Sequence, residues 1–153
     1  MYNILNNPQL GELEIIEVYE YFNMPLLFSC KNLVDSFYIA LCADDLPEHD
    51  MWLYTEVSLK RLNLLRSGLI SIHDVFAKPE MGRLLKATIP NNSSAEFNSK
   101  YVAPEELNEN VFPPVDKFLV PKNTPLMPQT NSVEIAKAQG REIISLNFNS
   151  NQE

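Results

Sequence analysis

The sequence predicts an α+β domain: a twisted antiparallel sheet, or a partly open barrel, packed against two short helices, with a Pro-rich extended arm. Three observations predict it. Runs rich in Val, Ile, Tyr and Phe fill much of the first 58 residues, as half-buried strands require. Leucines at helical spacing and a second capped segment follow between residues 58 and 78, the periodicity of short amphipathic helices. Most of the eleven prolines then fall after residue 89, where a regular element becomes hard to sustain.

The first strand is read over 13–22, with Glu interleaved among β-branched and aromatic residues. Ile15 and Ile16 are adjacent, as are Tyr21 and Phe22, which a β-bulge would accommodate. Three more strands are expected over 25–31, 36–43 and 51–58. A tight turn over 32–35 would pair Cys30 with Phe37, Phe28 with Ile39 and Leu26 with Leu41. A hairpin pivoting on 44–51 would set Leu41 near Thr55 and Ile39 near Val57. One face then reads Leu26, Phe28, Ile39, Leu41, Leu53 and Val57. The other carries Ser29, Lys31, Tyr38, Ala40, Cys42, Tyr54 and Glu56. In this register Cys30 and Cys42 point to opposite faces, so no disulfide can join them.

Ser58 is a fitting N-cap for a helix marked by Leu59, Leu62, Leu65 and Leu69, with Gly68 as its stop. Ser71 and Asp74 form a capping pattern for a second short helix that Pro79 ends. Residues 83–89 return to strand. Residues 1–90 are therefore read as the α+β core, and 91–131 as a Pro/Asn-rich arm or loop. Val111, Phe112, Phe118, Leu119 and Val120 suggest that part of the arm lies on the domain. Residues 132–153 are assigned to the same domain, with 133–136 ambiguous between helix and strand, a last strand over 142–148 and a frayed tail.

Composition narrows the function classes. The chain has 153 residues and a formal net charge of -8, so one domain is expected. So acidic a chain is poorly suited to gripping nucleic acid; a basic protein partner suits it better. No apolar run approaches the roughly 20 residues that span a bilayer. The first residues lack a basic, apolar leader, so no secretory signal is expected. Two cysteines, Cys30 and Cys42, make no disulfide scaffold, and a reducing cytoplasm is the expected compartment.

The charge is unevenly laid out. Residues 1–58 sum to -9, residues 59–90 to +4 and residues 91–153 to -3. Two readings stay open: an outward acidic face, or mutual neutralisation of the acidic and basic blocks. On the first reading Glu12, Glu14, Glu17 and Glu20 align with Asp44, Asp45, Glu48 and Asp50 as an acidic ridge. Tyr38, Trp52 and Tyr54 would then be interface anchors, as Trp and Tyr often are. If their face is instead covered by the helices, they are core residues.

Motifs for chemistry are sparse. The loop from Asp44 to Asp50 could offer oxygens to a hard cation, yet it lacks the alternation and central Gly of a calcium loop. A Cys42–His49 or Cys42–His73 nucleophilic pair would need an orienting partner. Four glycines make no phosphate-binding fingerprint. No catalytic set, metal site or cofactor is expected.

The stretch Met24-Pro25-Leu26-Leu27-Phe28-Ser29-Cys30, then Tyr38 to Asp44, Trp52-Leu53-Tyr54, and Arg61-Leu62 through Leu65 to Ser71 with Val75-Phe76, resembles an uncharacterised bacterial domain family of unknown function. The resemblance covers about residues 12–78 and implies β-hairpins plus short helices. It implies no catalytic residues.

The leading expectation is a non-enzymatic acidic module that binds and neutralises or regulates a basic partner, as toxin-immunity and antitoxin-like proteins do. The alternatives are an accessory subunit of an assembly docking through the Pro-rich arm, and a small hydrolase or metal enzyme using Cys42, His49 or the acidic loop. Self-association into a homo-oligomer stays open.

Overall fold

The structure, a computed structural model, describes residues 4–45, 49–90, 98–122 and 126. Its order is β1 (Asn6–Asn7), β2 (Gly11–Glu12), β3 (Glu14–Tyr21), β4 (Pro25–Lys31), β5 (Phe37–Asp45), β6 (His49–Val57), α1 (Leu59–Arg66), α2 (Ile72–Ala77), β7 (Leu84–Pro90) and β8 (Asn98–Val102). Strands β3 to β8 form one open antiparallel sheet in sequence order, and β1 and β2 make a small ribbon of their own. The α+β class therefore holds, with an open sheet and not a barrel.

Both faces of the sheet are buried. On one, Leu27, Ile39, Leu41, Leu53, Val57 and Leu84 meet Leu62 and Leu65 of α1 and Ile72, Val75 and Phe76 of α2. On the other, Phe28, Tyr38, Ala40, Trp52, Tyr54 and Leu85 are covered by Ile4, Leu10 and Leu13. The helices thus leave the aromatic face to the N-terminal segment. That segment is fastened by polar contacts: the Tyr54 hydroxyl donates to the Ile4 carbonyl at 2.7 Å, and Leu13 N–H to the Leu5 carbonyl at 2.8 Å. Asn7 Oδ1 accepts from the Gln9 and Leu10 amides, closing the turn that aims Leu10 inward.

The β4–β5 register differs from the expected one by a single residue. Phe28 faces Ala40, Cys30 faces Tyr38 and Leu27 faces Leu41. The reason lies in the turn. Asp35 takes a left-handed backbone (φ 62°), and Asn32 Oδ1 accepts from the Val34 and Ser36 amides. The connection is a three-residue loop with its last residue left-handed, which Asp tolerates, and not a two-residue turn. One residue of slip moves Phe28 and Cys30 to the aromatic face and Leu27 and Ser29 to the helical face. Cys30 and Cys42 consequently share a face. The β5–β6 ladder slips by two, pairing Ile39 with Thr55 and Leu41 with Leu53, so its face assignments survive.

Local signals at the helices behave as read. The Ser58 and Ser71 side chains accept from the amides of Arg61 and Asp74. Gly68 is left-handed (φ 75°), and a Cβ there would stand 3.0 Å from the Leu119 carbonyl oxygen. Only glycine lets the arm approach so closely. Leu69 lies beyond α1 and is exposed, not part of the helix's apolar stripe.

The segment read as an arm is in part sheet and in part strap. Asn98–Val102 pairs with β7 as the sixth strand, so the sheet continues past residue 90. Two 3₁₀ turns follow, Pro104–Glu106 and Glu109–Val111. The chain then crosses the helices. Ile72 N–H donates to the Lys117 carbonyl at 3.0 Å, and Lys122 N–H to the Arg66 carbonyl at 2.8 Å. Asn63 bonds both the amide and the carbonyl of Leu126. Val102 and Phe112 are buried in the helical core, with Leu107 and Leu119 packed against it. The expected helix or strand over 133–136, the expected strand over 142–148 and the frayed tail lie outside the described residues.

Candidate functional site

Strand β3 ends the sheet, with β4 its one neighbour among the described residues. Its ladder shifts register three times, between Ile15 and Glu17, Val18 and Glu20, and Glu20 and Tyr21. Those irregularities set the β3 side chains off strict alternation. They also twist the edge away from strand-by-strand extension.

The predicted acidic ridge divides. Glu17 is drawn inward: Arg66 of α1 donates to its two carboxylate oxygens at 2.7 and 2.8 Å, and Tyr19 Oη donates to it at 3.0 Å. Burial pushes the Glu17 carboxyl up, but the Arg66 hydrogen bonds and charge, with Tyr19 and Lys122, hold it below the ordinary glutamate value. Burial, with the neighbouring Glu17 charge, pushes the Tyr19 phenol up, against the opposing hydrogen bond with Ser29. Glu20 pairs with Lys117 of the strap. Two of the four ridge glutamates therefore fasten the sheet edge to the helical layer, so mutual neutralisation accounts for half of this set.

Glu12 and Glu14 remain exposed. They do not continue into a ridge with the acidic loop. Glu14 pairs with Lys31 at one end of β4, whereas β5 runs out to Asp44 and Asp45 at the other end. Asp44 and Asp50 are half-buried, and Glu48 lies outside the described residues. Tyr38, Trp52 and Tyr54 are buried, Trp52 completely (0%). They are core residues, with Trp52 against the Phe28 ring at a centroid distance of 5.8 Å, and cannot serve as interface anchors.

The sheet edge carries different aromatics in their place. Tyr21 is 68% and Phe22 71% exposed at the end of β3, and Val18 is exposed midway. Asn23, left-handed at φ 62°, turns the chain there. At the opposite end, the exposed Leu33 and Val34 occupy the β4–β5 turn beside the Glu14–Lys31 pair. Seven steps of about 3.3 Å each set Glu14 and Tyr21 about 23 Å apart. The adjacency of Tyr21 and Phe22 was visible in the sequence; that both point outward follows from the late bulge in β3.

Burial pushes the Cys30 thiol up to about 12, far from a nucleophilic thiolate at neutral pH. Cys42 Sγ lies 3.9 Å from the Asp44 carbonyl oxygen. His73 faces Asp74 and Glu109. Among the described residues no three of His, Cys, Asp and Glu come together as a metal-holding group. No helix among the described residues is long and apolar enough to cross a membrane. A cleft of about 200 Å³ lies between Glu14, Ile15, Ile16, Lys31, Phe37, Leu59 and Leu126, and its walls are as polar as they are apolar.

Fold and edge together define an α+β domain with an open six-stranded sheet, covered on both faces and presenting a mixed acidic and aromatic margin. The chain belongs to the DUF6575 family, a family of unknown function, which matches over residues 2–152. That match takes in the strap and the sixth strand along with the hairpins and helices. No curated protein and no solved structure matches.

Proposed function

We propose that this chain is a non-enzymatic protein-binding module that docks a basic partner along the β3 margin, neutralising or regulating it as immunity and antitoxin-like proteins do. The observation that carries the reading is the outward set Glu14, Val18, Tyr21 and Phe22 along the β3 margin of the sheet, with the exposed Glu12 of β2 just before it in the chain. Exposed apolar groups rimmed by charge are typical of protein contacts. The aromatics would anchor and the glutamates would steer a cationic surface. The irregular β3 ladder favours contact through side chains over addition of a strand.

The test is capture of the partner from the native host, followed by two variants, E12K/E14K and Y21A/F22A. The expected result is at least about tenfold weaker capture for each, about 1.4 kcal/mol, at an unchanged melting temperature. Wild-type affinity in both variants would set the reading aside.

One observation favours a second reading, an accessory subunit docking through the strap. Val115, Phe118 and Val120 point outward from it, and Leu69 is exposed beside it. Under that reading F118A/V120S would lose the partner while Y21A/F22A kept it.

A further inference from the structure

His73 is buried at the start of α2, and both of its ring nitrogens face carboxylates. Nδ1 is 3.2 Å from Asp74 Oδ1, and Nε2 is 2.8 Å from Glu109 Oε2 in the second 3₁₀ turn. The Phe112 ring meets the imidazole edge-on at a centroid distance of 5.8 Å. A carboxylate only accepts, so both contacts are hydrogen bonds only when both ring nitrogens carry protons. A neutral ring has one N–H and would set a lone pair against the second carboxylate.

Two carboxylates favour the same state, and two cations stand behind one of them. Asp74 comes from the helix that holds His73, and Glu109 from the strap packed over it. Lys78 Nζ lies 3.9 Å from the other Asp74 oxygen, and the Arg61 guanidinium donates to the backbone carbonyls of Asp74 and Lys78.

We infer that His73 is a proton-dependent clamp: as imidazolium it ties the Glu109–Phe112 turn to α2, and on losing its proton it loosens the strap over the helical core. The strap is well placed to respond. Its other hydrogen bonds to the helical layer include Ile72 N–H to Lys117 and Lys122 N–H to Arg66, with Asn63 of α1 holding Leu126 further along. Loosening it would uncover Leu107, Val111, Phe112 and Leu119, all packed on the helical core.

The direction with pH follows from linkage. The hydrogen bond to Glu109, outweighing burial, and the bond to Asp74 raise the His73 pKa in the folded chain. A raised pKa means that the clamp's stabilisation is whole below the unfolded histidine value of about 6.5 and is lost as pH rises through the folded one.

The experiment follows His73 ring resonances and the protection factors of the Ile72 and Lys122 amides from pH 5.5 to 9, in the full chain and in E109Q. Protection factors remove the intrinsic pH dependence of exchange. In the wild type, protection of both amides is expected to fall about 2- to 10-fold as His73 deprotonates, the net worth of one ordinary hydrogen bond, because Glu109 is largely exposed. In E109Q, whose changed residue is exposed, His73 should titrate lower and protection should be reduced already at pH 5.5 and nearly flat above it. A wild-type His73 that titrates at or below its unfolded value overturns the inference. So does amide protection that is the same in the two proteins throughout.

Discussion

Truncation of Trp52 to alanine is expected to destabilise the fold by about 3–5 kcal/mol, the range for deleting a fully buried aromatic. Trp52 is fully buried, packed against Phe28 in the core that Ile4, Leu10 and Leu13 close. The loss therefore reaches beyond one cavity. The N-terminal segment has few partners besides this face, so its hold weakens with the indole gone. Chemical denaturation with circular dichroism measures the change; a loss under about 1 kcal/mol would mean that Trp52 is not enclosed as the sheet's second core requires.

Removing the guanidinium in R66A is expected to lower stability by about 2–3 kcal/mol. Loss of one partner from a buried pair costs about 3–5 kcal/mol, and Glu17 keeps a quarter of its side chain in water. E17Q/R66A should cost less than the two single changes together, because their bonds are shared. The pH dependence has a definite sign. Glu17 is held below its ordinary value, so the wild type's advantage over R66A is whole above about pH 4.3, the unfolded value. It fades as pH falls through the lower folded value. Melts of both proteins from pH 3 to 7 check this, and parallel curves would contradict it.

These two residues show which features were legible in the sequence. Signals confined to a few residues came through: Ser58 and Ser71 as caps, Gly68 as a stop, and the strand from Pro25 to Lys31. Trp52 was visible as a strand residue, but its burial was not. The cover over it is a polar segment, Asn6-Asn7-Pro8-Gln9, with three apolar residues at no regular period. The Glu17–Arg66 pair spans 49 positions, a separation on which charge counting is silent as to geometry. The β4–β5 faces were inverted for Phe28 and Cys30 because a single left-handed Asp35 lengthens the turn by one residue. Strand β8, Asn-Ser-Lys-Tyr-Val, read as loop because it is a polar edge strand whose order comes from pairing with β7 and from burial of Val102.

The division of the acidic block explains why its two halves should respond differently to substitution. Glu17 and Glu20 secure the margin of the sheet to the layer above, and their loss is a matter of stability. Glu12 and Glu14 can be reversed with the fold intact, and their loss is a matter of recognition.

The central claim is tested most directly by a photo-crosslinking amino acid placed at Tyr21 and, separately, at Val120, in the full chain expressed in its native host. The account predicts that irradiation joins a basic protein to position 21. Adducts at position 120 and none at 21 would contradict it.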